Sequence, residues 1–364
     1  MLSLHVVQAE YGDCFIVEFG SYSHPRYILI DGGPRTIYEH HLRPILHTIG
    51  TSGGHLDAAI LSHVDTDHVT GLLDLIADLR DQHARGDPEI IEIDALWHNT
   101  FSDTIGRDSP METRLKTLVT SSADSMALTT MAVMGIQQGH QLRLAATAYG
   151  VPINPSFASG HIIADETSEK VFDNLTLRIV GPTKANLEEL KKEWLEWLDE
   201  YEDRVSEDPS VAAMADQSIP NLSSIMVLAE ADEKTMLLTG DGRGDHLLQG
   251  LAQAHLLNSQ GSIHVDILKV PHHGSNRNIT RKFFKIVTAN TYVISANGRH
   301  GNPDLATLIW MVKAAQEQKR SITIVTTNAT PSTQKLVKEY PPSEYNYSLI
   351  EMEKGSHTMQ LTLS

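Results

Sequence analysis

Six consecutive positions, His63-Val64-Asp65-Thr66-Asp67-His68, hold four side chains able to bind a metal, directly after the apolar run Ala58-Ala59-Ile60-Leu61. A chain leaving a buried strand shows alternate side chains on one side, so His63, Asp65 and Asp67 can converge there. His68 follows where the chain turns into its next element. Two imidazoles and two carboxylates at this spacing would be costly neighbours without a cation to hold them. Imidazole suits zinc, manganese or iron, and the carboxylates add hard oxygen and negative charge. A polar loop of solvated acids is the plainer alternative, and it leaves the spacing unexplained.

The rest of the composition narrows the setting of such a site. A chain of 364 residues can bury a large core as one big domain or two small ones. A formal charge of -17 excludes a broadly basic nucleic-acid surface, so any nucleic acid must be held locally. The single cysteine, Cys14, excludes an internal disulfide, fits a reducing compartment, and reads as a small buried residue in the strand around Phe15-Ile16-Val17. The start, Met1-Leu2-Ser3-Leu4-His5, lacks the basic and long apolar parts of a secretion signal, and no apolar run is long enough to cross a bilayer. The expectation is a cytoplasmic protein with no membrane partner.

Along the chain, Val6-Val7 and Cys14 to Phe19 read as a hairpin, and Tyr27 to Ile30 as a buried strand ending in the turn Asp31-Gly32-Gly33-Pro34. Apolar spacing predicts helices over Ile37 to Ile49 and around Leu72, Leu73, Ile76 and Leu79, with a strand over Ile90 to Trp97. Helical insertions are expected at about 101–167 and 184–217 within a single domain spanning 1–364. In the second insertion Asn186 starts a helix with Glu189 placed for a capping box. The stripe Leu187, Leu190, Trp194, Trp197 and Tyr201 marks ordinary core, or a surface for a protein partner along 187–201. Ile225 to Glu230 and Thr235 to Thr239 form a hairpin, and Val265 to Val270, Tyr292 to Ser295 and Ile322 to Thr326 are further strands. A last hairpin is expected from Tyr347-Ser348-Leu349-Ile350 through Lys354-Gly355 to Leu361-Thr362-Leu363. Strand groups at both ends with helices between them suggest two packed sheets flanked by helices.

Two more clusters lie at strand ends. Leu237-Leu238-Thr239-Gly240-Asp241 is an apolar strand that ends on glycine and then an acid, which lets the backbone approach an ion. Leu268-Lys269-Val270-Pro271-His272-His273-Gly274-Ser275 delivers two adjacent histidines into a turn. With these three clusters in hand, the chain resembles the metallo-β-lactamase superfamily, whose His-x-His-x-Asp-His signature stands here as His63-x-Asp65-x-Asp67-His68. The aspartate variant, together with Leu238 to Asp241 and Val270 to Ser275, is most similar to the hydrolase domain of ComEC-type competence proteins. Further matching stretches are Tyr11-Gly12-Asp13, Leu29 to Gly33 and Asn221 to Val227, and the likeness runs to about Pro303.

The resemblance implies an α/β (α+β) fold, a four-layer αββα sandwich with the site at one edge. It implies two divalent ions, zinc or manganese: His63 and Asp65 on one, Asp67 and His68 on the other, Asp241 bridging, and His272 or His273 closing the shell. Asp31 would orient the metal loop from behind. The sequence departs from the pattern twice. The family histidine between the first motif and the bridging acid has no counterpart at Ile179-Val180-Gly181-Pro182, leaving His98, His140 and His161 as candidate substitutes. The Asn-x-x-Gly-His-Pro element appears as Asn297-Gly298-Arg299-His300-Gly301-Asn302-Pro303, with its histidine displaced.

Three carboxylates and three histidines around two divalent ions would leave a positive remainder suited to an anionic phosphodiester. Metals lower the pKa of bound water and polarise a phosphoryl or carbonyl oxygen, and Asp65 in a histidine position shifts the preference toward manganese. Asp67 is expected to be essential. The free member of the His272–His273 pair, or His300, is a candidate proton donor to the leaving group, and Lys269 or Arg299 a candidate phosphate holder. The expected activity is that of a metallo-hydrolase, a phosphodiesterase or nuclease acting on DNA or single-stranded nucleic acid. The alternatives are hydrolysis of a small-molecule phosphodiester, cyclic nucleotide or lactone, and a regulatory subunit with a vestigial site.

Overall fold

Alternation along the strands decides which layer each side chain joins. In β1 (Leu2–Val7), Leu2, Leu4 and Val6 enter one apolar cluster while Val7 enters another. In β2 (Phe15–Ser21), Phe15, Val17 and Phe19 share the first cluster and Ile16 the second. Such a period of two means that both faces of the sheet are covered. The computed structural model describes residues 1–99, 113–114, 131–158, 160–164, 169–207 and 223–363.

Among the described residues, the first sheet has six strands and the second eight. Besides β1 and β2 the first contains β3 (His24–Ile30), β4 (Leu56–Ile60), β5 (Leu96–Trp97) and β14 (Thr358–Leu363), in the order β14-β1-β2-β3-β4-β5. The second contains β6 (Lys170–Phe172), β7 (Leu175–Gly181), β8 (Met226–Ala231), β9 (Lys234–Leu238), β10 (Ile263–Lys269), β11 (Val287–Ile294), β12 (Ile322–Thr326) and β13 (Tyr347–Glu351), in reverse chain order from β13 to β6. The inner faces of both sheets meet in one core that includes Leu4, Phe15, Ile60, Trp97, Leu238 and Ile267. Helices α1 (Arg43–Thr51), α2 (Thr66–Arg85) and α3 (Met131–Tyr149) flank the first sheet. The second is flanked by α5 (Gly244–Gln253), α6 (Leu305–Glu317) and α7 (Pro331–Glu339), with α4 (Lys184–Glu207) beside α5. The expected αββα sandwich is therefore present, and Cys14 is buried in it as expected. Among the described residues, no helix is long and apolar enough to cross a membrane.

Four local expectations change. The last hairpin does not form: β13 pairs with β12 in the second sheet, whereas β14 pairs with β1 in the first. The chain changes sheets at Met352, which is buried in the core between them. The strand expected over Ile90 to Trp97 shrinks to Leu96–Trp97, with a single bridge at Ile93, because the Ile90 N–H is taken by the Gln82 side chain of α2. The helix over Ile37 to Ile49 opens with a wide π-type turn over Tyr38–Leu42 before α1. Pro44, lacking an N–H, cannot continue the ordinary ladder there. The α4 cap lies at Thr183, where Thr183 and Asn186 exchange side chain–backbone bonds, and Glu189 turns instead to Arg243 and His246.

Leu187 and Leu190 of the α4 stripe are buried, while the side chains of Trp194, Trp197 and Tyr201 lie outside the described residues. So do most of the 101–130 part of the first expected insertion and residues 208–217 of the second.

The strands β9 to β13 run parallel, as do β3 and β4. Parallel strands align their carboxyl ends along one edge, the usual place for a ligand in such sheets. Asp31, His63, Asp241 and His272 all follow the ends of these strands.

Candidate metal centre

Four imidazoles converge with three carboxylates at this edge. Asp65 is the N-cap of α2, yet its carboxylate does not cap the helix: Oδ2 lies 3.4 Å from His63 Nε2. Asp67 and His68 sit in the first turn of α2, where the helix dipole favours a negative charge. Asp67 Oδ1 is 3.9 Å from His68 Nε2, and its Oδ2 is 3.5 Å from His273 Nε2. Asp241 lies at the hub. Its Oδ1 is 3.5 Å from His68 Nε2, and its Oδ2 is 3.2 Å from His273 Nε2 and 3.7 Å from His272 Nε2.

The far nitrogen of each imidazole is engaged by the protein. His68 Nδ1 lies 2.8 Å from Asp31 Oδ2, and His63 Nδ1 is 3.0 Å from the Ser62 hydroxyl. His273 Nδ1 donates to the Ser295 carbonyl at 2.9 Å, and His272 Nδ1 is 2.7 Å from Asn278 Oδ1. Anchoring Nδ1 in this way leaves Nε2 as the inward-facing donor, the arrangement expected behind metal-binding histidines. The Nε2 atoms of His63, His68 and His273 are buried and make no hydrogen bond. A buried polar atom without a partner is costly, and a divalent cation supplies that partner. The residues present therefore fit a metal. His63 with His68 and Asp241, and Asp67 with His68 and His273, form two compact donor groups.

The backbone of the site is held under strain. Asp31, His272 and His273 have φ of 59°, 47° and 52°, in the left-handed region that non-glycine residues seldom occupy. Gly240, at φ 49°, shows why glycine precedes the hub: a Cβ there would lie 2.9 Å from the Ser62 Cβ.

Electrostatics agree with the geometry. Burial alone would depress His68, but Asp241, Asp31 and Asp67 overcome it and raise the imidazole well above its usual value. Burial is likewise outweighed at His273 by Asp241 and Asp13. Burial would raise Asp67, yet His68 and His273 hold it down at about 2. His272 differs, because burial prevails and lowers it.

Asp31 lies behind the His63–His68 segment, where it was expected to orient the metal loop. It accepts from the Ser62 N–H and hydroxyl, both at 2.7 Å, as well as facing His68. Asp31→Asn is expected to weaken metal binding about 10- to 100-fold with the fold retained, measured by competition against a chromophoric chelator.

Other expectations separate. His300 is exposed on the turn after β11 and belongs to none of the donor groups. His140 is exposed and His161 half-buried, and neither joins those groups; His98 is buried beside Gly139 of α3 and is also outside them. At the expected position of the absent histidine, Gly181 packs against Met226. Lys269 is no phosphate holder: it is buried, donates to the Gly240 carbonyl at 2.7 Å, pairs with Asp13, and lies 3.4 Å from Asp241 Oδ1.

Asp13 had no legible role in the sequence, yet it also faces His273 Nδ1 at 3.4 Å. A lysine in the otherwise apolar run Ile267-Leu268-Lys269-Val270 was the available signal, since a buried lysine needs an acid. Asp13 and Lys269 offset each other, and counting Asp31 as well removes the positive remainder. Asp13, Asp31, Asp65, Asp67 and Asp241 carry five negative charges, which Lys269 and two divalent cations would just balance. The helix α3 is a further part the sequence hid, for Gly135 lies so close that a Cβ there would be 2.2 Å from the Val64 carbonyl.

No curated protein matches the chain. Among solved structures, a diphosphatase from the PhnP family aligns over 100% of this chain and 98% of its own, at 10% identity and a TM-score of 0.41. A candidate metal-dependent hydrolase from Parabacteroides distasonis aligns over 86% of this chain and 93% of its own, at 8% identity and a TM-score of 0.33. Residues 8–140 match the profile of the metallo-beta-lactamase superfamily, and the two helix-flanked sheets are consistent with that fold. That matched stretch takes in Asp13, Asp31 and the whole His63–His68 motif.

Proposed function

We infer that the protein is a metal-dependent hydrolase, and that its substrate is a phosphodiester. The observation that carries the reading is the set of inward-facing, buried Nε2 atoms on His63, His68 and His273, gathered around Asp241 and Asp67. His63, Asp65, Asp67, His68, Asp241, His273 and His272 would hold two divalent ions. When bound, such ions make water nucleophilic at neutral pH and polarise the oxygen of the scissile group.

The protein's own groups hold protons in place around them. Asp31 and the Ser295 carbonyl fix the tautomers of His68 and His273. Against burial, buried Lys269 and His273 lower Asp13, while His273, His68, His272 and Lys269 together lower Asp241. His272, whose side chain is 18% exposed against 5% for His273, is depressed by burial and so stays neutral near pH 7. Its Nε2 therefore suits ligation or proton acceptance better than donation to a leaving group.

Two carboxylates in the motif favour a hard ion such as manganese over zinc. Likeness of the motifs to the competence-protein hydrolase domain supports nucleic acid as the substrate. A net charge of -17 supports short or single strands over long duplexes. The same charge favours the second reading, a small-molecule phosphodiester. The test is metal analysis of the purified protein, followed by assays on bis(p-nitrophenyl) phosphate, single-stranded DNA, cyclic nucleotides and lactones. EDTA should abolish turnover and manganese should restore it. Substoichiometric metal with no turnover of any substrate would leave only a vestigial site.

A further inference from the structure

A centre whose charges balance offers little net attraction to an anion, so a phosphate needs a cation outside it. Arg299 is exposed on the turn after β11, with its guanidinium 4.0 Å from the centre of the Tyr11 ring. Among the described residues it has no carboxylate partner, whereas Arg26, Arg43, Arg178, Arg243 and Arg281 each pair with an acid. Its acidic neighbour across the turn, Glu10, is engaged by the Asn297 amide at 2.8 Å.

Both halves of the Arg299–Tyr11 pair are tied to ligand-bearing segments. Tyr11 precedes Gly12, whose carbonyl accepts from the Ser295 hydroxyl at 2.5 Å, and Ser295 in turn holds His273. The next residue, Asp13, donates its N–H to the Asp67 carbonyl at 3.3 Å. A Cβ on Gly12 would lie 2.0 Å from that same carbonyl oxygen, so glycine lets this loop press onto the metal loop. Tyr11 is therefore one Cα step, about 3.8 Å, from a residue in contact with Asp67. On the other side, the Arg299 N–H is fixed by Asn297 Oδ1 at 3.0 Å, and Gly298 and His300 have φ of 88° and 58°. The turn is built in an uncommon conformation and placed beside the site.

We propose that Arg299, stacked on Tyr11, forms a subsite for a phosphate group of the substrate at the rim of the metal centre. The proposal rests on the hydrolase reading for its substrate but not for its binding. A guanidinium lying on a ring keeps its donor edges open and gives two parallel hydrogen bonds to phosphate oxygens. It supplies the local positive charge that the neutral centre and the acidic chain do not.

The test uses the full chain, metal-loaded, with inorganic phosphate as the probe in calorimetric titrations at fixed ionic strength. Arg299→Met should weaken phosphate binding by about tenfold or more, Arg299→Lys by less, and Tyr11→Ala should follow Arg299→Met. On bis(p-nitrophenyl) phosphate, Arg299→Met should raise KM with kcat little changed. Phosphate affinity and KM within about twofold of the unsubstituted protein would overturn the subsite, even if hydrolysis proceeds. Loss of phosphate affinity without turnover of any phosphodiester by any form would instead support the subsite and refute the hydrolase reading. An equal loss of turnover on a neutral ester would also overturn it, as the substitution would then act on the centre and not on an anion.

Discussion

Replacing Asp241 by asparagine is expected to strip the protein of most of its bound metal and to lower hydrolysis of bis(p-nitrophenyl) phosphate about a hundredfold or more. The side chain keeps its size and one carbonyl oxygen, so any loss comes from charge and from the oxygen replaced by a donor. No other carboxylate among the described residues faces three imidazoles, and Asp241 faces His68, His272 and His273. It is also the largest influence raising His68 and His273 against burial. In the metal-free variant both imidazoles should titrate at lower pH than in the unsubstituted protein, which NMR of the ring protons would read. Retained metal content with unchanged turnover would show that the hub lies elsewhere.

The second large effect is expected at Lys269→Met, measured as the unfolding free energy of metal-free protein in urea. Lys269 is buried against Asp13 and Asp241. Burial would lower its pKa, but those two acids more than reverse that and keep it charged. Removing one partner from a buried ion pair costs about 3–5 kcal/mol, because the remaining charge has no water to return to. Methionine fills similar volume, so packing loss contributes little. A change below about 1 kcal/mol would mean that Asp13 takes up a proton and stays in place neutral.

How much of this could be read from the sequence depended on distance along the chain. The His63–His68 motif was legible because an apolar strand and four ligand-type residues stand next to each other. Asp241 and the His272–His273 pair were legible for the same reason, each following an apolar strand. Asp13 and Lys269 were not, for they are 256 positions apart and acquire meaning only where the hairpin loop of the first sheet meets the end of β10. Alternation in Tyr347 to Leu363 announced two strands correctly and could not say that they belong to different sheets. Nor does the spacing of glycines in Met131–Tyr149 reveal that this helix lies against Val64.

The division of the donors between the layers has a mechanical consequence. His63, Asp65, Asp67 and His68 follow a strand of the six-stranded sheet, whereas Asp241, His272 and His273 follow strands of the eight-stranded one. An ion held by both groups would act as a rivet across the sandwich, so that loading and interlayer cohesion would form one linked equilibrium. Tightness of that rivet would govern how firmly the two sheets are held together at the edge that carries the donors.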